Sequence, residues 1–141
     1  MKYEFSAGGI VYKKNGGQTL ILVSKHSQHH GWVFPKGLIG DNIENEKKED
    51  TAVREVKEET GIEAEIEKEV KPVSYWYVWD GTKKKKTVYY YIMRFTGGDI
   101  NEHDDEMEEV EWIDYNSVSE KLTYPSDKKA WEEAKPLIIN G

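Results

Sequence analysis

The sequence predicts an α/β sandwich built on a mixed sheet. Segments rich in β-branched and aromatic residues recur at 3–12, 19–24 and 87–96. Between them the composition turns helical from Glu46 to Thr60. It does so again after Ser126-Asp127, where Ala130, Trp131 and Ala134 fall at helical spacing. Strands, a helix, more strands and a terminal helix are the order that covers a sheet with helices.

Residues 3–12 and 19–24 flank Lys14-Asn15-Gly16-Gly17, whose turn chemistry predicts a hairpin. Residues 31–37 predict a short strand ended by Pro35 and Gly37. Gly61 stops the helix that begins near Glu46. Residues 62–79 and 87–96 predict two strands around a loop from Asp80 to Lys86, and Gly97-Gly98-Asp99 breaks the second. An acidic loop is expected at 101–109 and a short strand at 110–114. Tyr115 to Leu122 predicts a short helix, Ser126-Asp127 the cap of the last one, and Pro136 a kink near its end. With no repeat or linker in 141 residues, a single domain spanning 1–141 is expected.

Composition excludes several chemistries. The absence of cysteine removes disulfides, thiolate catalysis and Cys-based zinc sites, and it agrees with a cytoplasmic location. No apolar run is long enough for a membrane span, and Met1-Lys2-Tyr3-Glu4-Phe5 has no apolar signal region. A net charge of -7 opposes duplex nucleic acid, because the overall field repels phosphates. A phosphorylated small molecule would need local neutralisation, for which a divalent cation is suited. Lys83-Lys84-Lys85-Lys86 is the basic exception, either a solvated hairpin tip or a phosphate contact.

The stretch from Gly37 to Ile62 carries the chemical signal. At about 100° per residue, Glu55, Glu58 and Glu59 fall on one face of the predicted helix, and Ala52, Val53 and Val56 form an adjoining arc able to bury against a sheet. Like charges one turn apart cost roughly 0.2–0.5 kcal/mol per pair. Magnesium, a hard cation that takes oxygen ligands and is shared between carboxylates and phosphates, would reverse that sign. Arg54 is placed to pair with one of these carboxylates. Spacing alone fits a solvated Glu-rich face equally well.

The whole pattern is more specific. The segment resembles the Nudix box, G-x5-E-x7-R-E-U-x-E-E-x-G-U with U aliphatic, at Gly40, Glu46, Arg54, Glu55, Val56, Glu58, Glu59, Gly61 and Ile62. Ser6 to Val11 looks like the family's first core strand, Trp32 to Gly37 like the approach to its box, and Glu106 to Trp112 like its late acidic segment. One departure stands out: the glycine of Pro35-Lys36-Gly37, which opens the box in most relatives, lies three residues before Gly40. Either glycine can therefore be the structural start.

The resemblance implies an α/β/α sandwich around a central mixed sheet and a hydrolase that uses Mg²⁺, with Mn²⁺ as a substitute. It implies Glu55, Glu58 and Glu59 as metal ligands, Glu58 or Glu59 as a participant in water activation, and Arg54 as an orienting residue. Glu106, with Glu109 next, becomes the candidate general base or further metal ligand, and Lys36 a phosphate contact. Gly61 reads more readily as a helix stop than as a catalytic residue.

The flanks resemble the bacterial and animal diadenosine tetraphosphate hydrolases, through Tyr75-Trp76-Tyr77, the lysine run and Lys86 to Tyr91. That likeness implies Tyr75, Tyr77 and Tyr89 as aromatic contacts and Lys85 as a phosphate contact. Alternate residues of a strand face opposite ways, so Tyr75 and Tyr77 share one face and Trp76 and Val78 the other. The Tyr pair is the set expected to meet ligand. His26, His29 and His30 read first as solvated loop residues and otherwise as substrate contacts. Four functions follow: asymmetrical dinucleoside polyphosphate hydrolase, MutT-like triphosphate pyrophosphohydrolase, hydrolase of capped RNA or diphosphoinositol phosphates, and non-catalytic nucleotide sensor. Monomer and homodimer both remain open.

Overall fold

The structure is a computed structural model that describes residues 2–40 and 43–139. Strands β1 (Lys2–Asn15) and β2 (Gln18–His26) form the expected hairpin. Asn15 pairs with Gln18, so the turn is only Gly16-Gly17, with Gly16 at a φ of 65° that glycine adopts without cost. β3 (Trp32–Val33) pairs with β2, and β4 (Lys36–Leu38) with β1. The long strand β7 (Thr82–Gly98) lies parallel to β1, from Lys2 opposite Lys84 to Tyr12 opposite Arg94. Its other side carries β5 (Ile62–Glu69) and β6 (Val73–Trp79), both antiparallel, and β8 (Met107–Asp114) pairs with β2. One parallel pairing among antiparallel ones makes the sheet mixed, as expected.

Several boundaries differ from the sequence expectation. Residues 62–79 are two strands rather than one, because the chain leaves β5 at Val70, whose N–H donates to the Tyr90 carbonyl, and Pro72 has no N–H to give. The lysines are not loop residues. The turn is Asp80-Gly81, with φ values of 50° and 72°, and Lys83 to Lys86 belong to β7. Residues 107–109 of the expected acidic loop are already strand β8. The region after it is a short 3₁₀ turn at Tyr115–Ser117 running into α2 (Val118–Lys121). Helix α3 (Pro125–Ala134) starts at Pro125 with Tyr124 at its N-cap and no side-chain cap. Asp127 is buried and accepts the Phe34 N–H at 3.2 Å instead of capping the helix. Pro136 ends the helical run in a 3₁₀ turn, Lys135–Leu137.

Alternation along β1 and β7 gives the sheet two apolar faces. On one, Ile10, Val88, Tyr90 and Ile92 pack with Phe34, Val118, Leu122 and Trp131 beneath α2 and α3. On the other, Ala7, Val11, Tyr91 and Met93 pack with Ala52 and Val56 of α1 (Lys48–Thr60). This is an α/β/α sandwich. Helix α1 approaches closely because Gly9 has no side chain: a Cβ there would lie 2.7 Å from Val56 Cγ2 and 2.8 Å from Met93 Sδ. The buried arc of α1 also differs from expectation. Val53 is 37% exposed, whereas Glu55 and Glu59 are buried beside Ala52 and Val56. The acidic face and the packing face overlap, which places carboxylates where desolvation is costly. No helix among the described residues is long and apolar enough to cross a membrane.

Candidate active site

Helix α1 brings its carboxylates to the end of β4, where Gly37 faces Glu55. A Cβ on Gly37 would lie 2.1 Å from Glu55 Cδ and 2.2 Å from Oε2, so only glycine leaves room for that carboxylate. Gly40 has a φ of 77°, and among the described residues nothing lies within 4 Å of its would-be Cβ. Close approach to the helix thus belongs to Gly37, and Gly40 sits in the turn that begins a lengthened connection. Gly37→Ala is expected to lower kcat by about 100-fold through displacement of Glu55, while Gly40→Ala costs only about 1–2 kcal/mol in stability for its left-handed backbone. Steady-state kinetics and thermal melts of the two variants check this contrast.

Arg54 organises the acidic cluster. Its Nε and Nη2 donate to Glu46 Oε2 and Oε1, both at 2.9 Å, in a bidentate pair. Its Nη1 donates to Glu55 Oε1 at 2.9 Å and Glu58 Oε2 at 2.8 Å. Glu46 also accepts from Thr51 Oγ1 at 2.7 Å, and Arg54 holds its carboxyl below the usual carboxylate range. Burial pushes the Glu55 carboxyl up, with its hydrogen bond to Glu59 and Arg54 opposing. Burial raises Glu59 well above its ordinary value; Lys36 opposes this, whereas Glu106 and Glu55 reinforce it.

These side chains line a cavity of about 660 Å³, shared by Glu55, Glu58, Glu59, Glu106, Lys36 and Lys86. Gly61 (φ 78°) ends α1, where a Cβ would meet the Asp99 carbonyl oxygen at 2.1 Å. Beyond it, the Asp104 N–H donates to the Glu58 carbonyl and the Ser27 N–H to that of Glu106, fixing the acidic segment against both α1 and the histidine loop. Glu109 lies apart, 3.7 Å from Lys25.

A second cavity of about 580 Å³ adjoins the first, with His29, Val33, Lys36 and Lys86 common to both. Tyr75, Tyr77 and residues Tyr124 to Asp127 line its remainder. The rings of Tyr75 and Tyr77 lie 6.2 Å apart. Two expected contacts need correction. Lys85 pairs with Trp76 in the sheet and points to the opposite face, with its Nζ 5.6 Å from the indole centroid. Lys86, opposite Tyr75, occupies the cavity instead, and burial lowers its ammonium pKa. Tyr89 is also on the α1 side, with Lys48 Nζ 4.5 Å from its ring centroid. Sequence reasoning named Lys86 only as part of the lysine run and chose Lys85 from it; it missed Asp104, Tyr124 and Asp127 as site residues, and it read His26 and His29 first as solvated. These two rings stack at 4.2 Å and border the acidic cavity, and the Tyr124 hydroxyl and His29 Nδ1 share a hydrogen bond of 2.7 Å. His30 turns away to Glu108.

The domain model described as "NUDIX domain" matches residues 2–135, nearly the entire chain. The chain belongs to the Nudix family. A Mycobacterium tuberculosis protein named as mutator protein MutT4 is 36% identical over 143 residues, covering 96% of this chain and 56% of that protein. An "8-oxo-(d)GTP phosphatase" of Mycolicibacterium smegmatis is 29% identical over 133 residues, covering 88% of this chain and 39% of the relative. The Nudix chain thus spans about half, or less, of the length of these relatives. The crystal structure of a C. elegans Ap4A hydrolase binary complex superposes with a TM-score of 0.69 at 18% identity, over 95% of this chain and 96% of the other. At that identity the likeness speaks for the Nudix fold.

Nudix hydrolases generally use divalent cations such as Mg²⁺. Among the described residues no three His, Asp or Glu side chains converge as a ready-made ligand set. Glu55 and Glu58 are turned toward Arg54, and Glu59 hydrogen-bonds Glu55. The donor chemistry nevertheless fits the ion. Five carboxylates, those of Glu55, Glu58, Glu59, Asp104 and Glu106, line one cavity, and the two buried ones, Glu55 and Glu59, are driven toward protonation first by desolvation and then by neighbouring carboxylates. A hard divalent cation relieves that conflict.

Proposed function

We propose that this Nudix chain hydrolyses a phosphoanhydride bond of a nucleoside polyphosphate, with a dinucleoside polyphosphate such as diadenosine tetraphosphate as substrate. The observation that carries the reading is the continuity of the two cavities through Lys36 and Lys86. An aromatic chamber for a base opens directly onto an acidic chamber for the reacting phosphate, and lysines stand at the junction. Aromatic faces stack on bases, and ammonium groups meet phosphate oxygens as point charges.

In this arrangement Tyr75 and Tyr77 hold the base, and Lys36 and Lys86 carry the phosphate chain toward α1. Glu55, Glu58, Glu59 and Glu106 are the residues that would hold Mg²⁺. The bound cation would neutralise the phosphate chain and ease deprotonation of water. Glu58 has the most exposed side chain of the helix trio, at 46%, and this supports it as the carboxylate that would take the proton. Water oxygen bonds to phosphorus, the bridging P–O bond breaks, and the leaving phosphate departs with the bridging oxygen. From diadenosine tetraphosphate the products are ATP and AMP.

A second reading is favoured by the names of the mycobacterial relatives, which point to a mutator-type activity on oxidised purine triphosphates. Chromatography of products decides between the two. ATP plus AMP from diadenosine tetraphosphate supports the first reading. Higher kcat/KM on 8-oxo-dGTP, with release of the monophosphate, replaces it. In either case Tyr75→Ala is expected to raise KM by about 5- to 150-fold with little change in kcat, since it removes ~1–3 kcal/mol of stacking shared by ground and transition states.

A further inference from the structure

Strand β6 is an edge strand without the usual protection. It pairs with β7 in unbroken register from Val73–Val88 to Trp79–Thr82, and among the described residues with no other strand. Among the described residues no other backbone hydrogen bond reaches residues 73–79. Edges of monomeric proteins are normally blunted by charge, proline or a bulge. Val73-Ser74-Tyr75-Trp76-Tyr77-Val78-Trp79 has none of these. It instead leaves Trp76 47%, Val78 68% and Trp79 67% exposed. On the α1 side of the sheet this apolar surface continues through the register Trp76–Lys85–Tyr3 to Tyr3 and Phe5, which are 59% and 47% exposed.

We infer that β6 pairs antiparallel with β6 of a second copy of this chain across a two-fold axis at Trp76, joining the two sheets. Electrostatics favours this occupant. In a chain of net charge -7, two copies meet with least repulsion along an edge that carries no carboxylate, and β6 carries none; the ammonium groups beside it, Lys83 and Lys85, lie over the Trp76 ring at 4.8 and 5.6 Å, on one face of the sheet. The order Tyr75-Trp76-Tyr77 reads alike in both directions, so pairing centred on Trp76 sets aromatic against aromatic at three successive positions. It also sets Tyr75 opposite the partner's Tyr77 on the side of the sheet that carries the aromatic chamber. The second copy thereby adds an aromatic wall to the base site.

The assembly stands on the edge geometry alone; its kinetic consequence rests on the function proposed above. Sedimentation velocity and amide hydrogen exchange on the full chain test the assembly. The expected result is a dimer whose 73–79 amides lose protection on dilution, with Trp76→Lys and Val78→Lys giving folded monomers. A wild-type chain that is monomeric at high concentration overturns the inference. So does a dimer that both lysine variants leave intact, or a monomer that binds single-stranded RNA or a foreign peptide along β6. Should a variant misfold, dilution-dependent exchange of the wild-type strand decides alone. In the kinetic arm the monomeric variants should show KM raised about ten-fold at unchanged kcat. A dimer lost without any change in KM removes the shared wall and leaves the pairing standing. Absence of turnover in the wild type counts against the proposed function without touching the assembly.

Discussion

Glu58→Gln is expected to lower kcat by about 10²–10⁴-fold, the range for loss of a positioned proton acceptor. The substitution keeps shape and removes charge. Glu58 Oε2 accepts from Arg54 at 2.8 Å, and the glutamine amide oxygen can accept the same bond. The bidentate pair of Arg54 with Glu46 and its bond to Glu55 are untouched, so the α1 anchor and the melting temperature should hardly move. Turnover and isothermal calorimetry on the same preparation separate an enzyme from a sensor. An enzyme loses rate while still binding nucleotide; a non-catalytic Nudix module has no rate to lose and keeps its response. A variant with wild-type kcat would remove Glu58 from the reaction and shift attention to Glu106, which lines the same cavity.

Why one part of this site could be read from sequence and another could not follows from how each part is built. Arg54, Glu55, Glu58 and Glu59 lie within a single helix turn or two, so helical periodicity alone brings them together. Lys86 required strand register. The signal was present: Asp80-Gly81 is a strong two-residue hairpin turn, and centring the hairpin there sets Tyr75 opposite Lys86 and Trp76 opposite Lys85. Reading the lysines as loop placed the wrong one in the cavity. Gly37 and Gly40 are indistinguishable in a linear pattern, because the difference between them is the distance to Glu55 across β4 and α1. Asp127 looked like a helix cap from its neighbours. Its burial beneath Phe34 and Tyr90 depends on how α3 crosses the sheet, which no local pattern encodes. Glu55 and Glu59 belong to an acidic arc and a packed arc at once, and only the packing of α1 on β1 and β4 reveals the overlap.

Arg54→Ala should be the most destabilising of the single changes in this cluster. The guanidinium is the shared partner of Glu46, Glu55 and Glu58, with side-chain exposures of 6%, 10% and 46%. Its removal leaves the largely buried Glu46 and Glu55 without their shared cation, with Glu55 still against the buried Glu59. Breaking a fully buried pair costs about 3–5 kcal/mol, and the 18% exposure of Arg54 argues for about 2–3 here. The pH dependence has a definite sign. Glu46 has a folded pKa held below its ordinary value by Arg54, so it stabilises the fold above the ordinary carboxylate range and loses that contribution as pH falls through the lowered value. Glu55 is raised by burial and Arg54 opposes the rise, so without Arg54 its ionised form costs the fold more, a cost that grows as pH rises and vanishes once the carboxyl is protonated. Both effects make the loss of Arg54 worst near neutral pH and mild in acid. Urea melts of wild type and variant across that span should converge as the carboxylates protonate. A gap that stays constant or widens toward acid would mean that Arg54 acts by packing its stem against α1, with its charge of little consequence to the fold. Added Mg²⁺ offers an independent check at neutral pH, since cation binding to the same carboxylates should recover part of the variant's stability and little of its rate.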